Sequence, residues 1–186
     1  MKLKSLIVVL LCIVVCSSCE QPPIEAYAVL PQPQEINYVQ GFVKLKDKPM
    51  VVYSNELSNE ALLLASYLKN DFAVEVTLEE GKDKGDVILL LDSTVLPDKK
   101  GGYVLEAAGS RITIKASTPE GVFNGVQTLR QIIKEREGRL TVQKALVTDY
   151  PAFSWRAFML DEGRYFKGKE AVSYTHLRAH ETLANL

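Results

Sequence analysis

Two segments of this 186-residue chain carry apolar residues at the three- and four-residue spacing of an α-helix, each on one face only. The second segment has the stronger pattern, because Thr118 can cap its N-terminus and Pro119 suits its first position. Ser58 is the expected N-cap of the first segment. The apolar faces consist of Leu57, Ala61, Leu64, Ala65, Leu68 and Phe72 in the first segment and Val122, Val126, Leu129 and Ile133 in the second. Helices with one apolar face each need a partner surface, so both are expected on the same side of one sheet.

Short segments with apolar residues at alternating or consecutive positions predict the strands of that sheet. Two of them are joined by Ala108-Gly109-Ser110, a favourable hairpin turn, so part of the sheet is antiparallel. The predicted strands lie at 42–45, 50–53, 74–78, 86–91, 103–107, 111–116 and 140–146. The predicted fold class is therefore α+β, with a mixed, largely antiparallel sheet and two helices on one face.

Two features of this region resemble site motifs but favour structural roles. Gly121 and Gly125 lie one turn apart inside the second helix, where each lowers helix stability by about 1 kcal/mol relative to alanine. Close packing of the helix backbone against the sheet is the expected compensation, since the segment lacks the Gly-Lys-Ser/Thr of a phosphate-binding loop. Asp92 follows an apolar strand and precedes Ser93 and Thr94, which is typical of a turn at a strand end.

The distribution of cysteine and histidine excludes several kinds of active site. All three cysteines lie within the first 19 residues and both histidines within the last 11, so residues 20–175 contain neither type. That segment therefore has no Cys–His or Ser–His–Asp site, no Cys/His zinc site and no disulfide framework. His176 and His180 have no third ligand beside them, so no metal site is predicted. A formal net charge of −1 gives no basic surface for nucleic acid.

Residues 1–18 have the pattern of a secretory signal, with two lysines before an apolar run at 6–15. That run is shorter than the roughly 20 residues of a membrane-spanning helix. One interpretation is a plain signal cleaved after the serines. The other is a bacterial lipoprotein signal, in which Cys19 becomes the lipid-carrying first residue of an exported protein in the periplasm or at the cell surface. Residues 19–28 contain two prolines and predict a short tether.

The character of the sequence changes at residues 149–151, after a front domain predicted at 29–148. A segment dense in aromatic and apolar residues then runs from Trp155 to Leu160 and ends in Asp161, Glu162 and Arg164. Ionisable residues just past the carboxyl end of a buried strand are where a (β/α)8 barrel has its active site. The segment therefore has the pattern expected of a barrel strand that leads to a site.

Motifs in both parts match a known pattern. In the front domain they are Leu30-Pro31-Gln32-Pro33 and the segments 102–105, 112–116 and 121–129; further on they are Tyr150-Pro151, Trp155-Arg156, Met159-Leu160-Asp161 and Arg164-Tyr165-Phe166. Over about residues 29–172 the chain resembles the bacterial β-N-acetylhexosaminidases of glycoside hydrolase family 20. The resemblance implies that residues 149–172 are the first strand and part of the first helix of a truncated (β/α)8 barrel.

The resemblance implies a retaining exo-hydrolase that removes terminal N-acetylglucosamine or N-acetylgalactosamine from glycans, without a metal or cofactor. In that family the substrate's own 2-acetamido oxygen is the nucleophile, and an adjacent Asp–Glu pair assists it. Arg156 matches the arginine that hydrogen-bonds the hydroxyls of the terminal sugar, while Asp161 and Arg164 are expected to support the site. The alternative role of Arg156 is an ion pair with Asp161 or Glu162. No oligomeric state is indicated.

The catalytic Asp–Glu pair of the family follows a later strand, and a full (β/α)8 barrel needs about 250 residues. The 186-residue chain is therefore expected to be an inactive N-terminal fragment. Residues 173–186 leave the family pattern and are expected to be a non-native tail. Two alternatives stay open. One is another glycosidase with a similar front domain, hyaluronidase-like or glucuronidase-like, and the other is a lipid-anchored glycan-binding module without catalysis.

Overall fold

The computed structural model describes residues 23–81, 83–153, 155, 157, 168–170 and 173. Within them the chain forms one eight-stranded sheet and two α-helices, which confirms the predicted α+β class. The helices are α1 (Ser58–Phe72), preceded by a 3-10 turn at Asn55–Leu57, and α2 (Pro119–Ile132). The strands are β1 (Glu35–Lys44), β2 (Met50–Tyr53), β3 (Thr77–Glu80), β4 (Val87–Leu91), β5 (Tyr103–Ala108), β6 (Arg111–Ala116), β7 (Lys134–Arg136) and β8 (Arg139–Asp149).

The sheet is mixed, with strand order β1-β8-β5-β6-β4-β2-β3 and with β7 paired to β8. The pairs β1–β8, β8–β5, β5–β6 and β7–β8 are antiparallel, whereas the pairs β6–β4, β4–β2 and β2–β3 are parallel. Among the described strands the antiparallel pairs are the more numerous. The β5–β6 hairpin has the predicted turn, and β6 has the predicted bounds.

Both helices lie on the same face of the sheet, where α1 packs on β2 and β3 and α2 packs on β4, β5 and β6. The helices also contact each other directly. Gln127 Nε2 donates a 3.0 Å hydrogen bond to the Tyr67 hydroxyl, and Arg130 Nε donates a 2.7 Å bond to Asp71. The guanidinium of Arg130 lies 4.0 Å from the centre of the Tyr67 ring. These polar contacts join the outer sides of the two helices, whereas their inner sides are apolar.

The core lies between the helices and the sheet, and alternate residues of the central strands fill it. Leu89, Leu105 and Ile114 are fully buried there. The opposite face of the sheet is covered only in part. Ile88 of β4 and Val52 of β2 are neighbours on that face and are both buried.

The two helical glycines make the close contact that the sequence predicts. A Cβ atom on Gly121 would lie 2.3 Å from the carbonyl oxygen of Gly102, and one on Gly125 would lie 2.5 Å from Cγ2 of Ile114. The hydroxyl of Thr118 accepts a 3.3 Å hydrogen bond from the Gly121 backbone N–H, as expected of an N-cap. The two glycines therefore bring the backbone of helix α2 into direct contact with the sheet, beside the buried side chains of Val122, Val126 and Leu129.

The ends of α1 differ from the prediction. Ser58 is its first residue rather than its N-cap, because the 3-10 turn brings the chain into helical geometry earlier and Leu57 takes the cap position. At the other end Ala73 has a positive φ of 56°, and the Val74 backbone N–H donates to the Leu68 carbonyl. This C-cap uses the residues predicted to begin β3, so the strand starts at Thr77 instead.

The segment directly after α2 forms a hairpin. Strand β7 pairs with the start of β8, and the turn between them contains Glu137 and Gly138, both with positive φ. Three exposed residues of β7 have no apolar alternation, so the pattern gave no sign of the strand. Strand β1 begins at Glu35 rather than at the predicted residue 42. Its pairing with β8 has an irregularity between Tyr38 and Phe42. Within the described residues, neither helix has the length and hydropathy to cross a lipid bilayer.

Candidate functional site

The site residues expected from the resemblance lie outside the described part of the chain. This holds for Arg156, Asp161, Glu162 and Arg164, for the predicted lipidation residue Cys19, and for His176 and His180. Their roles stay predictions. The structure does describe the last residues of the front domain before that segment, at 149–151, and we call these three residues the exit joint.

Asp149 ends β8 and is held by three parts of the domain. One oxygen of its carboxylate accepts a 3.3 Å hydrogen bond from the Tyr103 hydroxyl, and the other accepts a 3.2 Å bond from the Gln34 backbone N–H. The Tyr103 hydroxyl also forms a hydrogen bond with the hydroxyl of Thr128 on α2. Strand β5, helix α2 and the segment before β1 therefore converge on the first residue of the exit joint.

Tyr150 and Pro151 contact the loop that precedes β5. The ammonium group of Lys99 lies 4.4 Å from the centre of the Tyr150 ring, a cation–π contact. Pro151 packs against Gly101, which has a φ of +71°, and a Cβ atom there would lie 3.2 Å from Cγ of Pro151. Asn124 of α2 donates a 2.8 Å hydrogen bond to the Gly101 carbonyl, so the loop itself is fixed to the helix. The exit joint is a built contact and not a free linker.

Large aromatic side chains follow the exit joint. Phe153 is 72% exposed and Trp155 is 73% exposed. Trp155 is the first residue of the segment that the sequence predicts as a strand.

The motifs that sequence analysis assigned to structural roles have those roles. Oδ1 of Asp92 accepts hydrogen bonds from the backbone N–H of Thr94 at 3.0 Å and from its hydroxyl at 2.6 Å. These bonds from Thr94 hold the pKa of Asp92 below its ordinary value, with the charge of Lys115 as a smaller cause. Among the described residues no group of three His, Cys, Asp or Glu side chains is placed to hold a metal ion.

Tyr103 and Tyr27 are expected to resist ionisation as the pH is raised. Burial raises the pKa of each hydroxyl well above its ordinary value of about 10. The raised pKa means that the neutral hydroxyl is favoured in the folded state. Its contribution to the free energy of unfolding is complete below about pH 10 and is lost as the pH rises through the folded-state pKa. Tyrosinate absorbance and circular dichroism, recorded during one alkaline titration, should show these two groups ionising only with unfolding.

Tyr103→Phe provides the control for this titration. It should remove one of the two late-ionising groups. Ionisation of both hydroxyls with the circular dichroism intact would contradict their burial.

The fold and the exit joint together define a class: an α+β domain whose last strand leads, through a fixed joint, into an aromatic segment of different character. Residues 26–150 match the family model described as glycosyl hydrolase family 20, domain 2. A beta-hexosaminidase of Porphyromonas gingivalis is 31% identical over 153 residues, which are 77% of this chain and 20% of the relative. The chain belongs to glycosyl hydrolase family 20.

Solved structures of the family have the same fold. A mutant beta-hexosaminidase of Streptomyces plicatus, solved in complex with its product GlcNAc, superposes with a TM-score of 0.68 at 24% identity, covering 88% of this chain and 34% of that one. The beta-N-acetylhexosaminidase of Bacteroides fragilis superposes with a TM-score of 0.62 at 25% identity, covering 78% of this chain and 29% of that one. The chain therefore spans about a fifth to a third of the relatives it matches.

Proposed function

We propose that the complete protein is a β-N-acetylhexosaminidase that removes terminal N-acetylglucosamine or N-acetylgalactosamine from glycans with retention of configuration. The observation that carries the proposal is the match of residues 26–150 to domain 2 of glycosyl hydrolase family 20. Relatives with this domain include proteins named beta-hexosaminidase and a structure that holds GlcNAc as product. The exit joint supports it, because the front domain passes directly into the segment that resembles the start of a family 20 barrel.

In this proposal residues 149–172 form the first strand and part of the first helix of a (β/α)8 barrel. The fork of donors on Arg156 hydrogen-bonds two adjacent hydroxyls of the terminal sugar, and Asp161 and Arg164 support that geometry. The Asp–Glu pair belongs to a later strand, which the 186 residues do not include.

The test uses the protein encoded by the complete reading frame, with fluorogenic β-N-acetylglucosaminide, β-N-acetylgalactosaminide and β-glucuronide substrates. Both amino-sugar substrates should be cleaved, and proton NMR should show the β-anomer as the first product. Arg156→Ala should lower kcat/KM by about tenfold to a hundredfold, because a hydrogen bond to a charged group contributes roughly 1.5–3 kcal/mol. Arg139→Ala is the matched control, since Arg139 is exposed on the front domain.

Two outcomes would overturn the proposal. Cleavage of the glucuronide alone would favour the other glycosidase class with a similar front domain. Binding to a glycan array without cleavage of any substrate would favour the binding module. An Arg156→Ala protein with unchanged kcat/KM would be consistent with the proposed activity but would refute the proposed role of Arg156.

We also propose that the protein is exported and acylated at Cys19. The arrangement of lysines, apolar run and serines before Cys19 supports this. Expression in a bacterium with radiolabelled palmitate should label the chain, and Cys19→Ser should abolish the label. Cys12→Ser is the matched control, because Cys12 lies inside the apolar run and should leave labelling intact. A labelled Cys19→Ser protein would refute the assignment.

A further inference from the structure

Residues 25–27, within the predicted tether, are fixed to the sheet, and we call them the N-terminal latch. The backbone N–H of Glu25 donates a 3.1 Å hydrogen bond to Oε1 of Gln143 on β8. The carboxylate of Glu25 forms ion pairs with Lys134 and Arg136 of β7. Two neighbouring strands therefore hold the first residue of the latch.

Tyr27 completes the latch with contacts to β1 and β8. Its backbone N–H donates a 2.7 Å hydrogen bond to the Tyr38 hydroxyl, and its own hydroxyl donates to the Gln143 carbonyl. The Tyr27 and Tyr38 rings lie edge to face, with centroids 5.2 Å apart. Buried hydrogen bonds and an aromatic pair each favour one fixed position of the segment.

Gln143 ties the latch to the irregular part of β1. Its side chain is buried, and its Nε2 donates to the carbonyls of Val39 at 2.7 Å and Gly41 at 2.9 Å. The side chain of Val39 is 56% exposed, and Ile24, directly before the latch, is 50% exposed. Two exposed apolar side chains thus flank the amide group that joins the latch to the sheet.

The latch sets how far the sheet can lie from Cys19. Five residues, 20–24, separate Cys19 from Glu25. An extended chain spans at most about 3.3–3.6 Å per residue, so Glu25 lies within about 20 Å of Cys19. Without the latch the next fixed residue would be Val29, which is buried in the core, about 35 Å from Cys19 at full extension.

We propose that the end of the sheet formed by the latch and by residues 39–41 of β1 faces the phospholipid surface that carries the acylated Cys19. The proposal rests on the acylation proposed above. The short tether brings this end to the bilayer, and the exposed side chains of Ile24 and Val39 then contact the interfacial region of the lipid. The ammonium group of Lys144 lies beside Gly41 and suits the lipid phosphates.

The experiment places a fluorophore at one of two ends of the sheet in the acylated chain. A mature protein that begins at acylated Cys19 contains no other thiol, so an introduced cysteine is the single labelling site. Val39→Cys reports the end with the latch. Ser93→Cys is the matched control, because Ser93 is exposed beyond the opposite end of the same sheet, after β4. Each protein is reconstituted into phosphatidylcholine vesicles that contain nitroxide-headgroup phosphatidylcholine.

The label at position 39 should be quenched and the label at position 93 should not. Glu25→Ala combined with Tyr27→Phe should reduce the quenching at position 39 while the circular dichroism of the domain is retained. Equal quenching at both positions, or none at either in a palmitate-labelled, vesicle-bound protein, would overturn the proposed orientation. Absence of the palmitate label would instead refute acylation, and the orientation with it.

Discussion

Gly121→Ala is expected to destabilise the front domain by about 2–3 kcal/mol, although the same change in an isolated helix would stabilise it by about 1 kcal/mol. The added methyl group would lie 2.3 Å from the carbonyl oxygen of Gly102 and 2.7 Å from the Cβ of Ala116. Neither neighbour is the far end of a flexible side chain, so the helix must move away from β5 and β6. The sign of the effect therefore separates packing from helix propensity.

Urea unfolding of the 186-residue chain, followed by circular dichroism, would measure this difference. Gly109→Ala is the control, because nothing lies within 4 Å of a Cβ at that position and only its φ of +57° opposes the substitution. That conformation costs an alanine about 1–2 kcal/mol. A Gly121→Ala protein as stable as the wild type would show that α2 does not approach the sheet as closely as described.

Leu64→Ala is expected to lower the free energy of unfolding by about 2–5 kcal/mol. Leu64 is fully buried between α1 and the sheet, so its truncation leaves a cavity in the middle of the core. The domain has only one such core among its described residues, and no second cluster compensates for the loss. An effect of this size is a large part of the stability of a small domain.

Leu62 offers a matched control for that measurement. It is the same residue type on the same helix, but its side chain is 58% exposed. Leu62→Ala should change the free energy of unfolding by no more than about 0.5 kcal/mol. Equal losses for the two variants would mean that α1 is not oriented on the sheet as the structure shows.

Two positions on β8 have different roles in the proposed protein. Gln143 binds the N-terminal latch, and Asp149, six residues further along the same strand, begins the exit joint. A strand rises about 3.3 Å per residue, so these two contacts are roughly 20 Å apart. If both proposals hold, the front domain lies between the barrel and the lipid surface, and β8 runs from one side to the other.

The sequence by itself determined the elements that depend on neighbouring residues. Helix α2 was predicted from its cap, its first proline and its apolar spacing, and the β5–β6 hairpin from its turn. The glycine pair was correctly assigned to packing, because no other property of glycine favours it inside a helix. The family was also identified from the sequence, since its motifs are local strings of residues.

Only the tertiary structure decided which distant segments meet. Strand β1 pairs with β8 across about a hundred residues, and the exposed strand β7 has no periodic pattern of its own. The latch uses Glu25 and Tyr27, whose partners at positions 134–143 leave no trace in the surrounding composition. Hydrogen bonds and ion pairs between residues far apart in sequence form only where the sheet places those residues side by side. The local pattern of residues along the chain does not indicate which distant segments become neighbours.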